Sequence, residues 1–62
     1  MRLKDLLNVI TPDEPFNVTE LSYNDGCSYA SKNEKIPQSW QEANVECVYV
    51  EDGKLTIEIT EN

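Results

Sequence analysis

Proton transfer near neutral pH is most often the work of histidine, and this 62-residue chain has none. Acid–base chemistry would therefore fall to carboxylates or lysines in unusual surroundings. The best placed carboxylate is Glu46, which the expected register of the last hairpin sets on an apolar face opposite Ile59, where it would lose its hydration. Position 46 also ends the hairpin, so its side chain can bend out to water, and that reading is adopted. Cys27 stands beside an expected turn and Cys47 in mid-strand. Neither has a histidine, nor an adjacent lysine to favour thiolate, so both read as small apolar residues. The acidic pairs Asp13-Glu14 and Glu51-Asp52 lack the oxygen-ligand spacing of a calcium loop, and no Cys/His spacing suits zinc. The two glycines, Gly26 and Gly53, are both assigned to turns rather than to a phosphate-binding loop. A chain this short rarely encloses a pocket of the usual size. The expectation is a non-enzyme with no metal and no cofactor.

Charge points instead to a partner. Five basic against twelve acidic residues give a formal net charge of −7 and a pI near 4.2. Such a field repels nucleic acid and anionic lipid, so neither is an expected partner. Either the charge keeps a small domain soluble and monomeric, or the acidic surface docks on a basic protein. Tyr23, Tyr29, Tyr49 and Glu58 are the candidate partner-binding residues, since aromatic side chains are enriched at binding hot spots. The expected function is a protein-binding accessory module. The alternative is a self-associating structural or assembly protein, a homo-oligomer joined through sheet edges or the Tyr49 face. A third reading, imitation of the DNA backbone, sits poorly with acids spread from Asp5 to Glu61.

Those side chains have to be positioned by a small fold. Asp52-Gly53 tolerates the positive φ angles of a type I′ turn and is flanked by β-branched runs, so Asn44 to Thr60 is predicted to form a hairpin. Its register pairs Glu51 with Lys54, Val50 with Leu55, Val48 with Ile57 and Glu46 with Ile59. Alternation then places Val48, Val50, Leu55, Ile57 and Ile59 on the inner face, with Val45, Cys47, Tyr49, Thr56, Glu58 and Thr60 on the outer. Leu3, Leu6, Leu7 and Ile10 make one stripe of a helix over Met1 to Ile10. Thr11 to Pro15 reads as a single tight turn. Phe16 to Tyr23 and Cys27 to Ser31 are expected as strands about Asn24-Asp25-Gly26, with Tyr29 opposite either Ser22 or Leu21. Ile36-Pro37 opens a short helix to about Ala43, with Trp40 covering part of the sheet.

The whole is predicted to be one domain over residues 1–62, a two-layer α+β fold: an antiparallel sheet of two hairpins with both helices on one face. A 39% hydrophobic content suffices for a globular core. The start of the chain reads as neither a signal peptide nor a membrane span, so a cytoplasmic protein with reduced cysteines is expected. On the same ground Asn17-Val18-Thr19 is not expected to carry glycan.

LKDLL near the start, the central Ile36-Pro37 and the run Val48 to Ile59 (V-x-V-E-D-G-K-L-T-I-E-I) together resemble a loose group of small acidic proteins of unknown function. These come from Gram-positive bacteria and their phages and integrated elements. The resemblance implies a bacterial or phage origin and carries no activity with it.

Overall fold

The computed structural model describes residues 1–61. Its elements are α1 (Leu3–Leu7), β1 (Phe16–Glu20), β2 (Asp25–Tyr29), α2 (Gln38–Gln41), β3 (Asn44–Glu51) and β4 (Lys54–Thr60). The strands form one sheet in the order β2-β1-β4-β3. Leu3 and Ile10 from the α1 region and Ile36 and Ala43 from the α2 region are buried with Phe16, Val18, Ile57 and Ile59 of the central strands. This is the two-layer α+β arrangement expected from the pattern of the chain.

The last hairpin forms around Asp52 and Gly53, whose φ angles of +52° and +77° suit a type I′ turn. Glu51 pairs with Lys54, Val50 with Leu55 and Val48 with Ile57, as the turn dictates. The expected pairing of Glu46 with Ile59 does not occur. A bulge between Val45 and Cys47 leaves Glu46 out of the ladder and puts Val45 opposite Ile59. The extra residue reverses the alternation, so Val45 packs against the core and Glu46 stays exposed. The bulge leaves the Glu46 carboxylate exposed, where it keeps its hydration.

The first hairpin also departs from expectation. Phe16 pairs with Tyr29 and Glu20 with Asp25, so neither Ser22 nor Leu21 faces Tyr29. The loop is the four residues 21–24, with Asn24 at φ +55°. The Phe16 and Tyr29 rings stack with centroids 5.2 Å apart, a contact across the sheet that turn chemistry alone does not reveal. Gly26 accordingly lies within β2 rather than in the turn.

Each hairpin is antiparallel, but the wholly antiparallel sheet expected does not form: the hairpins join through parallel pairing of β1 with β4, which makes the sheet mixed. That register aligns Phe16 with Leu55, Val18 with Ile57 and Glu20 with Ile59. The central strands therefore hold most of the buried side chains, and the edge strands β2 and β3 are largely exposed. The helices are shorter than the sequence suggests. The helix expected over Met1 to Ile10 is regular only from Leu3 to Leu7, beyond which turns carry Ile10 back to the core. Asp5 caps its start by accepting the Arg2 backbone N–H at 3.3 Å. Two elements of this length cannot roof four strands. Val48 and Val50, expected inside, are 42% and 71% exposed.

Candidate functional site

The aromatic candidates separate once the chain is folded. Tyr29 is buried, its ring against Phe16, so it serves the core rather than an exposed docking surface. Burial, chiefly, pushes its phenol up, with Cys27 and Glu34 adding in the same direction. Tyr23 is exposed in the 21–24 loop, at the β2 side of the sheet. Tyr49 lies on β3, at the opposite edge. The fold thus brings Tyr49 and Glu58 together and leaves Tyr23 and Tyr29 elsewhere.

On the outer face of the last hairpin the Tyr49 hydroxyl donates to Glu58 Oε2 at 3.1 Å. This bond, above all, raises the Tyr49 phenol from its ordinary 10.0, and the charges of Glu58 and Glu51 act the same way. Thr60 Oγ1 donates to Glu46 Oε2 at 3.3 Å beside the bulge. Between Tyr49 and Asn17, its register neighbours on either side, Thr56 is buried. The outer face therefore sets Tyr49 among Glu46, Glu51 and Glu58, with Lys54 opposite Glu51.

The inner face of the same hairpin ends differently. Beyond the reach of the helices it presents Val48 and Val50 beside half-buried Leu55. The backbone is also open here. The Met1 carbonyl accepts the Val45 N–H at 2.8 Å, and the Ala43 carbonyl accepts the Leu3 N–H at 3.0 Å, so the N-terminal segment covers the start of β3. Past Val45, no other described segment pairs with the outer edge of β3. A two-residue loop makes Glu51 and Lys54 a closely bonded pair, and alternation along the ladder then turns the N–H and C=O of Val48 and Val50 outward. Sequence reasoning placed these valines in the core because their face was legible and the reach of the helices was not.

Other groups with chemical potential are scattered. Glu20 is buried at 1% exposure; its Oε1 accepts the Ser22 N–H at 2.9 Å and its Oε2 has no hydrogen-bond partner. The alternation Phe16, Val18, Glu20 could have flagged it, since it shares their face. Lys4 Nζ lies 3.0 Å from Glu42 Oε2 and Arg2 also pairs with Glu42, tying α1 to α2. The bond from Lys4, foremost, and that from Arg2 hold the Glu42 carboxyl below its ordinary range. A shallow depression of about 220 Å³ is lined by Ser39, Glu42, Ala43 and Glu61, small beside the usual ligand pocket. Cys27 and Cys47 are both free and exposed. Among the described residues no three metal-ligating side chains gather, and no helix is long and apolar enough to cross a membrane.

No protein-family model, curated protein or solved structure matches this chain.

Proposed function

We propose that this chain is a small, acidic, non-catalytic module that binds another protein in the cytoplasm, of phage or mobile-element origin. The observation that carries the reading is the unroofed end of the last hairpin. Three consecutive residues with large exposed apolar surface, Val48, Tyr49 and Val50, stand on an open strand edge among carboxylates. Unpaired strand edges are a hazard that folded proteins ordinarily cover or charge, so an apolar one left open is a sign of use. The origin rests on the resemblance of LKDLL and the Val48 to Ile59 run to small acidic proteins of Gram-positive bacteria and their phages. An open edge also suits self-assembly, which is the second reading, but copies carrying −7 each repel one another.

A pull-down on the immobilised full chain tests both readings. Wild type is expected to retain a host-lysate protein at low salt, and a Tyr49→Ala/Val50→Lys variant to lose it. Wild type retaining nothing above background counts against protein binding. Light scattering is expected to report a monomer even at high concentration; a concentration-dependent oligomer transfers the edge to the second reading.

A further inference from the structure

We propose that the open edge of β3, from Cys47 to Glu51, accepts an added strand from a cationic partner whose sequence alternates apolar and basic residues. This rests on the protein-binding reading above and names the partner's chemistry. The alternation follows from the two faces of the edge. A strand laid beside β3 would bond its backbone to the outward N–H and C=O groups of Val48 and Val50. Its side chains on the inner face would meet Val48 and Val50, both of which have room for apolar neighbours. Its intervening side chains would meet the outer face, where Tyr49 stands with Glu51 alongside and Glu58 across the ladder, while Lys54, opposite Glu51, lies on β4 one strand further from the open edge. Lysine or arginine there gains both the carboxylates and the face of the Tyr49 ring.

Charge selects this occupant over a second copy of the chain. Self-pairing through β3 would set acidic outer faces side by side, with a net charge of −7 on each molecule. The bulge at Glu46 limits the site at one end, since it breaks the regular edge, and the Asp52-Gly53 turn limits it at the other.

The test is titration of the full chain with short blocked peptides, followed by amide NMR shifts. One peptide strictly alternates lysine and valine. A second has the same composition in two blocks, and a third is the alternating peptide N-methylated at every second amide, on the bonding edge. The alternating peptide is expected to shift the amides of residues 47–51. The other two are expected to bind about tenfold more weakly or less, the loss of one or two net backbone hydrogen bonds or of the matching face. Val50→Lys, at a side chain already 71% exposed, should remove binding, whereas Val9→Lys, at a site 77% exposed outside β3, should not. Equal binding of alternating and block peptides, shifts centred elsewhere, or no binding of any peptide would overturn the proposal. A lysate partner whose capture survives Val50→Lys leaves the protein-binding reading standing and removes strand addition.

Discussion

Tyr49 and Glu58 make the one partnership between candidate side chains that the fold brings about. Because Glu58 accepts the phenol hydrogen and carries negative charge, it opposes formation of a second negative charge on Tyr49. Glu58→Gln keeps an acceptor and removes the charge. The Tyr49 titration midpoint, followed by NMR of the ring, should then fall toward 10.0; an unchanged midpoint would mean that the pair does not exist in solution. The sign has a consequence for folding. A phenol raised in the folded state contributes stability that is present below the unfolded value and is lost as pH rises through the folded one. Glu20 is the other residue whose surroundings differ from what its type suggests. Glu20→Gln retains an acceptor for Ser22 and replaces a buried carboxyl by an uncharged amide. Urea unfolding at neutral pH should show a gain of about 1 kcal/mol, since a buried carboxyl whose Oε2 has no hydrogen-bond partner costs more to desolvate than a buried amide. A loss of that size would point to a favourable partner for Glu20 in solution. That Glu20 shares a face with Phe16 and Val18 was legible from alternation; that this face is covered at Glu20 was not.

At the scale of elements, the two hairpins differ in what determines them. In the β3–β4 hairpin local turn chemistry agrees with the strand pattern, and register follows from Asp52-Gly53. In the β1–β2 hairpin the glycine that looked like a turn residue lies in a strand, and the Phe16–Tyr29 stack coincides with the register formed. Alanine substitution separates these cases. At Gly53, with φ +77°, it should destabilise by about 1 kcal/mol, the penalty for a β-carbon in the left-handed region. At Gly26 the new carbon would meet Thr19 Oγ1 at 3.4 Å and the Val18 carbonyl at 3.6 Å, both ordinary contacts. Gly26→Ala should therefore leave stability unchanged or raise it by about 0.5 kcal/mol, through reduced freedom of the unfolded chain. Thermal or urea unfolding of the pair checks the contrast, and equal damage at both positions would contradict the loop at residues 21–24.

For the whole molecule, size governs what can be covered. A 62-residue domain has a total stability of about 3–9 kcal/mol, at 0.05–0.15 kcal/mol per residue. Phe16 is fully buried and stacked on Tyr29, so Phe16→Ala should remove about 3–5 kcal/mol, enough to leave much of the population unfolded. A urea midpoint close to that of wild type would show that the core is centred elsewhere. The same shortage of material explains the exposed valines: α1 and α2 span five and four residues, and the sheet outruns them. What the chain determined by itself is whatever depends on neighbours in sequence. The Asp52-Gly53 turn, the alternation that puts Ile57 and Ile59 inward, the leucine stripe that carries Leu3 to the core and the acidic balance are all of this kind. The parallel joint between hairpins, the Phe16–Tyr29 register, the bulge that exchanges Glu46 for Val45, and the bare edge at Val48 and Val50 were decided only in three dimensions. Each is a competition between distant segments for a limited apolar surface, and periodicity reports which way a side chain points but not whether anything lies above it.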